Sequence, residues 1–285
     1  MQPLLGKFIR SCRKSKNMTL KQAGGDNVSS SMLSRFESGS SDISTGYFLG
    51  LLQNLNLTLA DVDCWLRRIH YPLISNQRQA FYQAKKSNDH YALVKFYNQY
   101  CNSIDITWQY YGVIAHLFLQ KYDKRTLDYS EMNRVIDYLA SVEIWSEYEF
   151  YLFMDSLMLL PENTINFLVM GAYEYVTRTE NNGVYELSVG LIRYYLGHQK
   201  PAKALNQVQQ MQERLIAAEN ADISLNLCLY KGISLIVLGE VAEGKLYVTR
   251  ALSIAKVLKM HDTLQSFYKT LNIYLPSDKE WLKAI

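Results

Sequence analysis

Ser30, Ser31, Ser34 and Arg35 place three hydroxyls and a guanidinium within six residues. That set can hydrogen-bond the edges of base pairs and the oxygens of phosphates. An arginine addresses O6 and N7 of guanine in the major groove through two parallel bonds, and serine hydroxyls suit either bases or backbone. The surrounding stretch, MTLKQAGGDNVSSSMLSRFESG at residues 18–39, supplies a frame for them. Thr19 can cap a short helix through Ala23, because its hydroxyl can accept a bond from an orphan backbone N–H. Gly24, Gly25, Asp26 and Asn27 are turn formers that break that helix. Ser29 can cap a second helix to about Glu37, and Gly39 supplies its stop. On that helix Val28, Met32, Leu33 and Phe36 are spaced to face inward, which leaves the three serines and Arg35 outward. The spacing predicts a helix-turn-helix whose second helix presents base-reading side chains at its N-terminal end.

A short helix pair around a glycine turn also occurs in all-α proteins that bind no nucleic acid. Two features favour DNA here. Lys7, Arg10, Arg13, Lys14 and Lys16 form the basic face of a preceding amphipathic helix whose apolar face is Leu4, Leu5, Phe8, Ile9 and Cys12. Residues 1–40 carry seven Lys/Arg against two Asp/Glu, whereas the whole chain has a net charge of only +3, so positive charge gathers where phosphates would be met. In this reading Ser30, Ser31 and Arg35 contact bases, and Arg10, Arg13, Lys14, Ser29 and Ser34 contact the DNA backbone. A helix-turn-helix reads one half-site, so double-stranded DNA with inverted half-sites predicts a homodimer.

The run MTLKQ…SSSMLSRFESGSSDIS, followed by FLGLLQNLNLTLADV, resembles the N-terminal end of the Rgg/GadR/MutR family of transcriptional regulators. The specific part is LSRFE-x-G-x-SDIS at Leu33–Ser44, and the resemblance covers residues 3–66. It implies an all-helical C-terminal domain controlled by a short secreted peptide that is imported and bound there, as in quorum sensing. The segment Trp145–Phe153 is similar to a family stretch that contributes to the peptide pocket. The family commonly has an asparagine where this chain has Asp155. An ionised carboxylate accepts but cannot donate hydrogen bonds, so Asp155 is expected to favour a peptide with a basic group or a free amino terminus. Some relatives regulate through a cysteine near the end of the DNA-binding domain; that role is not carried onto Cys64.

At 285 residues and 48% hydrophobic content the chain can bury a sizeable core in more than one domain. Cys12, Cys64, Cys101 and Cys228 are far apart, and with five scattered histidines they form neither a metal-ligand cluster nor a disulfide framework. No cofactor is expected. Phosphate-binding, zinc-protease and nucleophile-elbow motifs are absent from the sequence, and Glu147, Glu149 and Asp155 read as charge on a solvated helix face, so no enzyme is expected. No apolar run approaches 18 residues, which predicts a cytoplasmic protein with no membrane span.

The expected architecture is all-α: a helix-turn-helix DNA-binding domain over residues 1–69, a linker at 70–78, and a tetratricopeptide-like helical repeat domain over 79–285. Ser41 and Asp42 offer a cap for a helix through about Asn56, with Phe48, Leu49, Leu51, Leu52 and Leu55 as its buried side. Thr58 caps the next, and Ser146-x-x-Glu149 is a capping box. Gly232, Leu235, Gly239, Gly244, Val248, Ala251 and Leu252 match the small and apolar positions of one tetratricopeptide unit, with a weaker echo at Gly197, Ala202 and Leu205. Stacked helix pairs make a concave face that binds extended peptides. The strong unit would line it with Asn226, Leu229, Ile233, Ile236 and Val237, and the weaker unit with Leu187, Leu191, Tyr194 and Tyr195. That lining suits a short hydrophobic peptide held by Asn226, although each of these residues also fits ordinary core between helix layers. The alternative function is a helical-repeat scaffold for a protein partner with an N-terminal docking module, which would bind DNA weakly and without sequence preference.

Overall fold

The computed structural model describes residues 2–69, 74–179, 183–215 and 221–276. The chain divides into two compact units, Met1–Ala80 and Phe81–Ile285. Every regular element among the described residues is a helix.

In the first unit the helices are α1 (Gln2–Ser15), α2 (Leu20–Gly24), α3 (Ser30–Ser38), α4 (Thr45–Asn54) and α5 (Leu59–Arg68). Their starts and stops are set by local chemistry. Thr19 and Gln22 form a reciprocal capping box on α2. The Ser29 hydroxyl accepts from the Met32 N–H at the head of α3, and Gly39 ends it at φ 77°, a left-handed conformation that glycine adopts without strain. Thr58 and Asp61 form a capping box on α5. The next expectation is corrected. Ser44 caps α4, not Ser41 or Asp42, because the Ser40 and Ser41 N–H groups are still closing the end of α3 on the Arg35 carbonyl. Leu49 is exposed, since Leu51, Leu52 and Leu55 take the inward stripe with Phe8, Ile9, Val28, Leu33, Phe36 and Val62.

Of the expected linker, residues 70–73 lie outside the described residues, and α6 (Ile74–Lys86) is helical from Ile74. There follow α7 (His90–Tyr100), α8 (Ile106–Tyr122), α9 (Tyr129–Ser141), α10 (Glu147–Ser156), a single 3-10 turn at Leu157–Leu159, α11 (Glu162–Thr179), α12 (Gly183–Gly197), α13 (Pro201–Leu215), α14 (Ala221–Leu238), α15 (Val241–Val257) and α16 (His261–Tyr274). Most consecutive helices pack, and so do several alternate ones: α8 touches α10, α9 touches α11, α12 touches α14, and α14 touches α16. This is the two-layer arrangement of a helical repeat. Two cores fill it, one around Phe81, Tyr111, Phe150 and Phe153, the other around Tyr230, Ile233, Val248 and Phe267.

The tetratricopeptide spacing near the C-terminus marks a real close crossing. A Cβ on Gly232 would lie 2.7 Å from the Gly244 carbonyl oxygen, and one on Gly244 would lie 2.7 Å from the Gly232 carbonyl oxygen. The weaker echo differs in register. Because α13 begins at Pro201, its inward stripe falls on Ala204, Val208 and Met211, and Ala202 is exposed. Among the described residues α14 is long and apolar enough by composition to cross a membrane, but more than half of it is buried inside this unit.

Candidate functional site

On α3 the side chains of Ser30, Ser31, Ser34 and Arg35 are all exposed, as the sequence spacing requires, and Ser29 caps the helix from the same surface. Arg10 and Lys14 are exposed on α1. Arg13 behaves differently from its expected role at the DNA backbone. Its Nε donates to Glu37 Oε1 at 2.6 Å, its Nη2 to Glu37 Oε2 at 2.7 Å, and its Nη1 to the Met18 carbonyl at 2.8 Å. The guanidinium is thereby turned inward, with side-chain exposures of 12% for Arg13 and 5% for Glu37. It locks α1 to α3. Gly6 permits the same approach: a Cβ there would collide with the Phe36 carbonyl oxygen. Asn54 Nδ2 donates to the Ala23 carbonyl at 3.1 Å and ties α4 to the helix-turn-helix corner. Sequence reading missed Gly6, Glu37 and Asn54, which position the reading helix without facing its ligand.

In the second unit most of the expected groove residues are core. Leu187, Leu191 and Tyr194 are buried in the first cluster, where the Tyr194 hydroxyl donates to the Leu160 carbonyl at 3.2 Å. Leu229, Ile233 and Ile236 are buried in the second. The cause is that α14 packs on α13, α15 and α16 at once, so its apolar residues are consumed between layers. Tyr195 is half-buried and Val237 exposed. Asn226, also half-buried, does line a cavity of about 510 Å³. Its other walls are Tyr185 and Glu186 from α12, Asp222 and Ile223 from α14, and Asp262, Thr263, Ser266 and Phe267 from α16. The Asn226 amide donates to the Asp222 carbonyl at 2.9 Å.

Asp155 is also turned inward. It is 3% exposed, and Lys85 Nζ donates to its Oδ1 at 2.7 Å and to its backbone carbonyl at 3.2 Å. The ammonium also lies 5.4 Å from the ring centres of both Phe81 and Phe118. The position expected to receive a ligand's basic group is occupied by this chain's own lysine. In the Trp145–Phe153 stretch Trp145, Phe150, Leu152 and Phe153 are buried, and Glu149 is engaged by Ser146 and Tyr138.

Glu162 at the head of α11 accepts from Lys200 and Lys203. Those bonds, from Lys200 first, hold its carboxyl down at about 2. A depressed folded-state value stabilises the fold above the ordinary carboxyl range near 4.5, and the contribution is lost as pH falls towards 2. Glu162→Gln is therefore expected to melt below the native chain at pH 7, with the gap narrowing through that window; a gap independent of pH in thermal melts would contradict this.

Among the described residues no group of His, Cys, Asp or Glu could hold a metal ion, and all four cysteines are free. A family model described as HTH-type transcriptional regulator Rgg, C-terminal domain, matches residues 75–270. The chain belongs to the Rgg family. Residues 18–39 lie outside that match. Solved structures agree on the fold. A protein from Listeria monocytogenes EGD-e is similar at 19% identity and TM-score 0.79, over 98% of this chain and 99% of that one. The SHP pheromone receptor Rgg2 of Streptococcus dysgalactiae is similar at 21% identity and TM-score 0.70, over 95% and 100%. PlcR of Bacillus thuringiensis, solved with the peptide PapR7 and DNA, is similar at 18% identity and TM-score 0.56, over 94% and 99%. This Rgg-family chain is thus an all-α regulator with a tetratricopeptide-like second unit.

Proposed function

We propose that this Rgg-family protein binds specific promoter DNA as a homodimer and is controlled by a short hydrophobic peptide bound in its C-terminal helical unit. In this reading residues 1–69 contact DNA, residues 79–285 receive the peptide, and the protein works in the cytoplasm. The observation that carries the DNA half is the exposed row Ser30, Ser31, Ser34 and Arg35 at the start of a capped helix that is braced through Gly6 and Glu37. Ser30, Ser31 and Arg35 read bases, while Arg10, Lys14, Ser29 and Ser34 meet phosphates. The peptide half is supported by shared fold: Rgg2 is a pheromone receptor, and PlcR was solved holding a peptide together with DNA. Peptide binding would shift the population of DNA-competent dimers.

Fluorescence anisotropy on duplexes tiling the region upstream of its own coding sequence tests the reading. Tight binding to one near-palindromic tile, falling steeply with salt, supports it. Equal, weak binding to every tile would refute it in favour of a docking module. Within that assay Arg35→Ala is expected to cost about 1–3 kcal/mol and to relax preference at one base position per half-site. Unchanged affinity and preference would remove Arg35 from base reading.

A further inference from the structure

The solvent side of α15 differs in kind from that of other helices in the same unit. On α9 and α13 the exposed positions are mostly polar, among them Asn133, Arg134 and Asp137 on the first and Asn206, Gln210 and Glu213 on the second. α15 turns Gly244, Val248, Ala251, Leu252 and Ala255 inward, and its opposite side exposes Leu246 by 57% and Val257 by 80%. Ile254, also exposed, borders the same side. Single exposed apolar residues are ordinary on any protein. Here they fall in a line. Leu246, Arg250, Ser253 and Val257 are all exposed and follow one another at intervals of four, three and four, the seam spacing of two helices packed side by side.

The polar members of the seam fit a partner of one kind. Arg250 lies near its middle, with the guanidinium 5.7 Å from the centre of the Tyr247 ring. Two α15 helices can be set antiparallel about a two-fold axis between positions 251 and 252. Leu246 of each copy then meets the partner's Val257, and Arg250 meets the partner's Ser253, whose hydroxyl can accept from it. The charges run the same way. Glu240 and Glu243 stand at the N-terminal end of the stripe, and Lys256 and Lys259 at its C-terminal end. Lys245 is half-buried and off the seam. Antiparallel apposition sets acidic end against basic end and opposes the two helix dipoles, whereas parallel apposition sets like on like.

We infer that this stripe on α15 is the surface through which two copies of the chain associate. The inference rests on the proposal that the protein is a homodimer, and it assigns that dimer a face and a register. A helix of 17 residues is about 26 Å long, so the pair by itself falls towards the low end of specific interfaces. Association is therefore expected to be reversible, with a dissociation constant in about the micromolar range.

Sedimentation of the full chain under reducing conditions, from about 1 to 100 µM, tests the face. The native chain should pass from monomer to dimer. Leu246→Asp should weaken that association at least about tenfold, since each dimer would bury the new charge twice. Val241→Asp is the control, because Val241 is exposed on the same helix but off the seam; association should be unaltered. Circular dichroism checks that both variants keep the fold. Mild oxidation in a Cys64→Ser background reads the register, Cys64 being the exposed native thiol. An equimolar mixture of Leu246→Cys and Val257→Cys chains should form disulfide dimers much faster than either chain alone, because like positions lie about 16 Å apart along the pair. A dimer that persists in Leu246→Asp, or single variants that cross-link as fast as the mixture, would overturn the α15 face and leave the homodimer standing. A native chain that stays monomeric at about 100 µM would overturn both, and the stripe would then belong to a different protein partner.

Discussion

Arg13→Met is expected to cost the N-terminal unit about 3 kcal/mol, because it strands the Glu37 carboxylate at 5% side-chain exposure with its forked partner gone. Hydrogen exchange should show the loss in α1 and α3, the two helices the pair joins. The double change Arg13→Met with Glu37→Leu should recover most of it, since an apolar pair of similar volume removes both desolvation penalties. DNA affinity of the double variant then separates two roles for Arg13. If stability and affinity recover together, Arg13 only positions the reading helix. If stability recovers while affinity stays low and the salt slope falls by about one phosphate contact, Arg13 also reaches DNA. A single variant as stable as the native chain would show that the pair contributes nothing to holding α3.

Features that span three or four residues were legible in the sequence. Thr19, Ser29, Thr58 and Ser146 cap where their spacing predicts, because a cap needs only a hydroxyl and an N–H two or three positions on. Ser41 and Asp42 show the limit of that logic: a cap also needs a free backbone, and theirs follows directly on a helix still closing on Arg35. Pairings across long stretches of chain left no local signal. Arg13 and Glu37 are 24 residues apart, and Lys85 and Asp155 are 70 apart. A basic stripe in the sequence therefore could not reveal which of its members turns inward. The burial of most expected groove residues has another cause. Where α14 is packed on several sides, apolar spacing cannot distinguish a lining residue from a core one, and only Asn226, the polar member of the predicted set on that helix, lines the cavity.

Gly232→Ala reverses an ordinary sign. In a helix interior glycine to alanine normally gains up to about 1 kcal/mol. At Gly232 the new methyl would stand 2.7 Å from the Gly244 carbonyl oxygen and 2.9 Å from the Val248 nitrogen. Those are backbone atoms of α15 and cannot rotate away, so the two helices must separate. A loss of about 2–3 kcal/mol is expected. Gly46→Ala is the matched control, since nothing lies within 4 Å of its new methyl; it should leave stability unchanged or raise it. Separation of α14 from α15 would also loosen the core around Val248, Ala251 and Leu252. The exposed row on α3 belongs to a different compact unit with its own core, so the monomeric helix-turn-helix should keep its hydrogen-exchange protection. Equal stability of Gly232→Ala and Gly46→Ala would mean that the α14–α15 crossing tolerates a side chain and that the tetratricopeptide spacing in this stretch has no steric basis.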